Sequence, residues 1–348
     1  MKALNVAILG ATGAVGQEFL RILESRNFPV KTLSLLASAR SRGQKLKFRG
    51  EDLTLEEAMP ASFRGIDLVL SSAGSAVSRA LLPHAVKAGA LTVDNTSAFR
   101  MDPKVPLVIP EINPEDIARH QGIVANPNCS TIIMLVPLYP LHRLAKIRRI
   151  VVATYQSASG AGAKAMRELE IQTGEVLAGK KPTVRVFPHQ IAFNLFSHNS
   201  ALNKDGFCEE ELKMAQETAK IFHDASVRVV ATTIRVPVYR AHSEALFVEF
   251  EKKLSLPAVY TALKKAKGVR LVDDRDRNHF PMPIEAAGGD DILIGRIRED
   301  RSVKNGLALF VSGDQLRKGA ALNAVQIAEC AFRVKASVSS PKRKHAKY

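Results

Sequence analysis

Leu4-Asn5-Val6-Ala7-Ile8-Leu9-Gly10-Ala11-Thr12-Gly13-Ala14-Val15-Gly16 opens the chain, and its reading decides the fold of the first third. An apolar run ends in three glycines, and Phe19, Leu20, Ile22 and Leu23 follow at helical spacing. The pattern is strand, glycine turn, helix. A turn without bulky side chains lets the backbone approach a pyrophosphate, which then rests on the N–H groups opening the helix. The spacing is G-x-x-G-x-x-G and not G-x-G-x-x-G, so the glycines alone are a weak signal. The strand before and helix after them supply the context that the mechanism requires. Gly10, Ala11, Thr12, Gly13, Ala14, Val15 and Gly16 are therefore candidate cofactor contacts.

Outward from this turn, Thr32 to Ala37 reads as the second strand. Its end faces the adenosine ribose, where a carboxylate selects NAD. The chain has Ser38, Arg40 and Ser41 there, hydroxyls and a guanidinium suited to a 2′-phosphate, which favours NADP over a solvated basic loop. Strands at Asp67 to Leu70 and Leu91 to Val93, with an amphipathic segment from Ala76 to Lys87 between them, predict a Rossmann-like, doubly wound parallel sheet. In such sheets ligands bind beyond the carboxyl ends of strands. Those ends carry Ser71 to Gly74, with Ser72 and Gly74 as candidate cofactor contacts, Asp94 to Arg100, and Asn126 to Thr131. Arg100 suits a phosphate or carboxylate as a bidentate partner.

The last of these segments, Asn126-Pro127-Asn128-Cys129-Ser130-Thr131, lies between a strand-like run, Gly122 to Ala125, and a helical run, Ile132 to Leu144. A thiol at such a junction meets free N–H groups and the positive end of the helix dipole, which favour a thiolate. The same groups could hold an oxyanion. A buried cysteine serving as a small hydrophobe is the competing reading. The stretch alone does not choose between them.

In the second half, Ile147 to Thr154 reads as a strand followed by Tyr155-Gln-Ser-Ala-Ser-Gly-Ala-Gly162 and a helix to Leu177. Gln156 could orient a carbonyl or merely cap the turn. A helix opens at Glu209 and runs to about Phe222, with Glu210 and Lys213 on one face and able to pair. In Thr232 to Val238, Arg235 projects from the face opposite Ile234 and Val236. His242 opens the next strand, and its pKa suits proton exchange with a thiol. Ile292 to Ile297 and Leu307 to Val311 flank Asn305-Gly306, a hairpin signal, so the second half is α+β with a mixed or antiparallel sheet. A final helix runs from Gly319 to about Arg333. The expected domains are 1–130, with helix 318–333 packing back on it, and 131–317, followed by a basic tail at 337–348.

Composition bounds the rest. The 348 residues suffice for two domains, and 46% apolar with 24% charged is ordinary for a globular protein. No apolar run reaches the length of a membrane span. Three widely spaced cysteines fit neither a disulfide framework nor a metal site, so no metal is expected and a cytoplasmic home is. The net charge of +16 invites a nucleic-acid reading. However, part of it lies in the tail, and part in Arg40, Arg42, Lys45, Lys47 and Arg49, where a cofactor phosphate is expected. No motif interleaves basic with aromatic residues, which disfavours nucleic acid as a partner.

Together the glycine turn, the cysteine after a strand, the glutamine in a second turn, and an arginine and histidine seven apart resemble the aspartate-β-semialdehyde dehydrogenases. The resemblance runs from Val6 to about Arg333. It implies that Cys129 is the nucleophile that becomes an acyl-enzyme, that His242 is the acid/base, and that Gln156 contacts substrate. It further implies that Arg235 holds the substrate carboxylate, that Glu210 lies beside its amino group, and that Arg100, Asn128 and Lys213 serve the phosphate. Ser159, Gly160 and Gln315 are implied cofactor contacts. The implied reaction is NADPH-dependent reduction of L-4-aspartyl phosphate to L-aspartate 4-semialdehyde, releasing phosphate, by a homodimer. The implied pathways make lysine through diaminopimelate, methionine and threonine. Ala241 stands where the family usually has Gly, and Gln315 where it commonly has Asn. The rivals are a reductase of N-acetyl-γ-glutamyl phosphate and a non-catalytic NADP- or RNA-binding protein.

Overall fold

The structure, a computed structural model, describes residues 3–197 and 200–333. The tail assigned to 337–348 lies outside the described residues. Among the described residues two compact units divide the chain: 3–106 with Asp116–Ala125 and 324–333, and Leu107–Glu115 with 126–197 and 200–323.

The first unit holds a sheet of β1 (Leu4–Leu9), β2 (Val30–Ala37), β3 (Lys45–Phe48), β4 (Glu51–Glu57), β5 (Leu68–Ser71), β6 (Leu91–Asp94) and β7 (Ile123–Ala125). Their spatial order is β3-β4-β2-β1-β5-β6-β7, and every pairing but β3 with β4 is parallel. Val6, Ala7 and Ile8 are wholly buried, as expected of a central parallel strand covered on both faces. Strand order reverses about β1, so Gly10 at its end lies at the switch point. Helices α1 (Ala14–Ser25) and α2 (Ser75–Lys87) follow β1 and β5.

The basic run from Arg40 to Arg49 departs from the sequence reading. Lys45 and Lys47 belong to the edge hairpin β3–β4, with Lys47 paired to Asp52 at 3.0 Å. Arg49 turns back to Phe28 O at 2.8 Å. Arg49 and Gly50 both have positive φ, 50° and 85°, as a two-residue hairpin turn with the right twist demands. This hairpin removes three of the five cations from the cofactor side of β2.

The second unit holds β8 (Ile147–Gln156), β9 (Phe196–Ser197), β10 (Arg228–Arg235), β11 (His242–Phe250), β12 (Val269–Leu271), β13 (Ile292–Asp300) and β14 (Gly306–Gly313). The order is β12-β13-β14-β11-β8-β10-β9, with β8/β10 and β12/β13 parallel and the other pairs antiparallel. The sheet is mixed, as the hairpin signal suggests. On β11 the alternation is plain: His242, Glu244, Leu246, Val248 and Phe250 are buried, whereas Phe247 is 40% exposed on the other face. Helix α3 (Cys129–Leu144) packs against β8, β11, β13 and β14, and α4 (Ala163–Leu177) and α5 (Glu209–Phe222) follow it in the chain.

The β13–β14 connection is longer than Asn-Gly suggests, because the strands end at Asp300 and resume at Gly306. Gly306 is required for space: a Cβ would lie 2.4 Å from Val303 Cγ2 and 2.9 Å from Asp300 Cβ. The final helix is preceded by a π-helical turn, Arg317–Ala321, before Leu322–Ala331.

Candidate active site

In the first unit a cavity of about 690 Å³ opens over the glycine turn. Leu9, Gly10, Thr12 and Gly13 form its floor, Ala37 to Arg40 one wall, and Ser72 and Ala73 another. Its shape depends on missing side chains. A Cβ at Gly10, whose φ is +89°, would lie 2.7 Å from Ser72 O, and one at Gly16 would lie 2.3 Å from Gly10 O. Gly16 thus serves close packing of helix on turn, and Gly10 the turn itself. Ser38 and Arg40 stand at the wall where a ribose phosphate is expected, while Ser41 and Gly74 are outside the lining. Backbone N–H groups at a helix start and one exposed guanidinium suit a dinucleotide. Arg100 also belongs to this unit, where it is buried and donates to Asn95 O at 2.8 Å.

In the second unit the helix begins three residues earlier than its apolar run, at Cys129 itself. Asn128 is the reason. As N-cap its Oδ1 accepts from Ser130 N at 2.9 Å and Thr131 N at 3.2 Å, closing the first turn around the thiol. Asn128 is held in turn by two carboxylates of α5. Glu217 Oε2 accepts its backbone N–H and Glu210 Oε1 its side-chain amide, both at 2.6 Å. Glu210 and Glu217 are two helical turns apart and share a face. Lys213 pairs with Glu209 at 2.8 Å and not with Glu210, whose carboxylate Asn128 has taken.

The ends of β8, β10 and β11 bring the other candidates together. Gln156 is in register with Arg235 and donates to Ser130 Oγ at 3.2 Å, next to the cysteine. Arg235 is 3% exposed and donates to Ser157 O at 2.7 Å. Burial pushes its guanidinium pKa down, and the charges of Cys129 and Glu210 oppose that. The thiol, the arginine and this carboxylate are thus electrostatic neighbours. His242 is fully buried, and Ser157 N–H donates to its Nδ1 at 3.1 Å, with Ser157 Oγ 3.0 Å away. A backbone N–H can only donate, so Nδ1 accepts and the neutral ring carries its proton on Nε2. Gly160 lies where that nitrogen and the arginine meet. A Cβ there would be 2.9 Å from His242 Nε2 and 3.1 Å from Arg235 Nη1.

Gln315 is engaged at both ends. Its amide nitrogen donates to Ser159 Oγ, and its oxygen accepts from Ala241 N at 3.0 Å. Two residues that sequence reasoning passed over prove central. Ser157 contacts both His242 and Arg235, and Glu217 carries the backbone of Asn128. A serine in a glycine-serine turn and a glutamate inside an amphipathic helix carry no signal of their own. Among the described residues, no group of side chains could hold a metal ion, and no helix is long and apolar enough to cross a membrane.

Comparisons with known proteins supply the family. The family models for the semialdehyde dehydrogenase NAD binding domain and dimerisation domain match residues 5–120 and 138–318. Aspartate-semialdehyde dehydrogenase of Synechocystis is 58% identical over 94% of this chain and 96% of its own. The chain belongs to the aspartate-semialdehyde dehydrogenases. Among other members, that of Bacillus subtilis is 46% identical over 94% of this chain and 97% of its own. The crystal structure of aspartate semialdehyde dehydrogenase II from Vibrio cholerae, complexed with ASA, superposes with a TM-score of 0.93. It is 43% identical and covers 96% of this chain and 99% of its own. As an aspartate-semialdehyde dehydrogenase the chain is an oxidoreductase of amino-acid biosynthesis with a nicotinamide-cofactor domain at its N-terminus.

Proposed function

We propose that this enzyme reduces L-4-aspartyl phosphate to L-aspartate 4-semialdehyde with NADPH, through a thioester on Cys129. The observation that carries the reading is the cluster in the second unit, where a thiol at the first residue of a helix has a buried guanidinium as electrostatic neighbour. A histidine of fixed tautomer meets that guanidinium across Gly160.

The chain's own groups suggest the steps. The helix N-terminus and Arg235 favour the thiolate, which attacks the acyl carbon and expels phosphate. Arg235 orients the substrate carboxylate and Glu210 its ammonium, while Arg100, Asn128 and Lys213 serve the phosphate. The Nε2–H of His242 hydrogen-bonds the oxygen on which negative charge develops at each tetrahedral stage. Gln156 holds the carbonyl from the other side. The bound nicotinamide supplies the hydride. Collapse of the resulting hemithioacetal frees the aldehyde and regenerates the thiolate. Overall the reduction consumes one proton, which leaves with the phosphate, and His242 is the group that trades it, as acid in this direction and as base in reverse.

NADP is favoured by Arg40 and Ser38, which follow β2 where the chain itself carries no acidic residue and which line the cavity there. A homodimer is supported by the dimerisation-domain match and by Val230 and Phe247, which are 38% and 40% exposed on strands of the second sheet. A cytoplasmic, metal-free enzyme of lysine, methionine and threonine synthesis completes the reading.

The test is phosphate-dependent reduction of NADP with L-aspartate semialdehyde, run beside NAD and beside Cys129→Ala. Turnover needing both phosphate and NADP, and falling to background in the variant while cofactor still binds, is expected. Turnover in the variant at the wild-type rate overturns the nucleophile. Activity only with the N-acetyl-γ-glutamyl substrate overturns the substrate.

A further inference from the structure

Lys318 is 1% exposed, and no step above uses it. Its ammonium donates to Glu111 Oε2 at 2.6 Å and to Asn323 Oδ1 at 2.9 Å. The Asn323 amide in turn donates to Asn126 Oδ1 at 2.8 Å and to Val108 O at 3.0 Å. A buried charge is thus linked by one amide to Asn126, the first residue of the cysteine stretch and itself buried.

The other end of the network reaches the same cysteine by a different route. Lys318 lies within the π-helical turn Arg317–Ala321, and the next residue, Gly319, packs on Cys129. A Cβ on Gly319 would lie 3.0 Å from Cys129 Cβ and 3.4 Å from its Cα. The turn is fixed at its start by Asp314, whose Oδ1 accepts from Leu316 N at 2.9 Å and Arg317 N at 3.1 Å. Its carbonyl accepts from Gly319 N at 3.0 Å. Cys129 is therefore gripped from Asn126 before it in sequence and from Gly319 in space, and Lys318 joins the two.

Stability does not explain this arrangement. A buried ammonium and a mostly buried carboxylate lose more hydration than such a pair usually returns, and apolar replacements of the same volume often fold as well or better. A π-helical turn also breaks the regular helix ladder, and such turns concentrate at functional sites. We propose that Lys318, with Glu111 and Asn323, is a positioning residue that sets the Cys129 thiol in its attacking position. The proposal rests on the reading of Cys129 as nucleophile. Lys318 acts through Gly319 and Asn126.

Lys318→Met alone leaves the mostly buried Glu111 without its partner, so the informative variant is the double Lys318→Met/Glu111→Met, which removes both charges at similar volume. The measurements are melting temperature, kcat and KM for the semialdehyde, and the rate of Cys129 alkylation by iodoacetamide, read at its own peptide. A melting temperature within a few degrees of wild type is expected, with alkylation and kcat each down about tenfold and KM within about twofold. A folded double variant that alkylates and turns over at wild-type rates overturns the proposal. Should the double variant not fold, Asn323→Leu, which cuts the link to Asn126 but leaves the ion pair, decides on the same two rates. The premise fails separately: Cys129→Ala turning over like wild type removes the nucleophile and the proposal with it. Wild-type dependence on Cys129 with unaltered network variants removes the proposal alone.

Discussion

The cofactor cavity and the cysteine cluster are built by opposite means. The cavity is made largely of backbone and small side chains at neighbouring strand ends, with Gly10, Gly13, Ala37, Ser38, Ser72 and Ala73 among its lining. The cluster is made of charged and polar side chains on α3, β8, β10, β11 and α5, each held by another. In the first region the space left open does the binding, whereas in the second it is the orientation of groups. A change that fills space should hurt the first through binding and the second through rate.

Gly160→Ala tests that contrast most severely, because it fills space inside the region that depends on orientation. The added methyl would sit 2.8 Å from His242 Cε1 and 3.1 Å from Arg235 Nη1, so both side chains must move. Displacement of reacting groups by about 1 Å costs on the order of 100-fold in rate. A kcat loss of about that size is expected, well beyond any loss of cofactor affinity measured by fluorescence. A variant with wild-type kcat would mean that the cluster does not depend on this close approach.

Buried acids sharpen the comparison. Asp94 in the first unit accepts from Ser78 Oγ, Thr96 Oγ1 and Thr96 N at 2.7 to 3.2 Å. Glu244 in the second is wholly buried on the same face of β11 as His242, and neither carboxylate oxygen has a hydrogen-bond partner. Burial, and then the charge of Glu210, hold its pKa well above the usual carboxylate range. The folded state therefore keeps a proton that the unfolded chain gives up above about pH 4.5. By linkage this subtracts stability as pH rises above that value, by at most about 1.4 kcal/mol per pH unit, until the folded carboxyl itself ionises. Glu244→Gln mimics the protonated acid and should melt higher than wild type at pH 8 and nearly with it at pH 5. A difference that does not grow between these two pH values would sink the assignment of a neutral Glu244.

How much of this was legible in the sequence follows the same division. The first unit could be read because β1, the turn and α1 are contiguous, so a single stretch carries both the fold and the binding mode. What escaped there was the hairpin β3–β4: Arg49-Gly50 is a weaker turn signal than Asn-Gly, and the run of cations around it suggested a phosphate loop. In the second unit β8, the strands between 227 and 250, the hairpin strands β13 and β14 and the helices α4 and α5 were readable from alternation and periodicity, whereas β9, β12 and the helix Leu256–Lys265 were not. The cluster was not, because nothing local in Gln156, Arg235 or His242 says that β8, β10 and β11 end together. Only the resemblance joined them. Ser157 and Glu217 remained invisible because their importance lies in a partner distant in the chain.

Arg40 tests the cavity, with a smaller effect. It is exposed, so its contribution to a 2′-phosphate is that of one solvent-screened charged hydrogen bond, about 1.4 kcal/mol. Arg40→Ala should raise the Kd for NADP about tenfold and leave that for NAD within about twofold, read by titration calorimetry. Equal losses for both would shift the role of Arg40 from the phosphate to the adenine.

The smallest expected effect concerns Ala241, which precedes His242. Its φ is +73°, a left-handed conformation that costs an L-residue about 1–2 kcal/mol and that glycine adopts freely. The departure from Gly at this position is thus a real backbone cost, yet the methyl is wholly buried against Ala286 and Leu293. That burial returns about 0.8 kcal/mol, and alanine also loses less unfolded-chain freedom than glycine, worth another ~0.4–1 kcal/mol. The opposing contributions nearly cancel, so Ala241→Gly should change unfolding stability by less than about 1 kcal/mol. Because Ala241 N also donates to Gln315 Oε1, a looser backbone there would show first in the His242-dependent rate. A variant more stable by about 2 kcal/mol would mean that the methyl contributes nothing, and that the chain carries the strain for the placement of His242 alone.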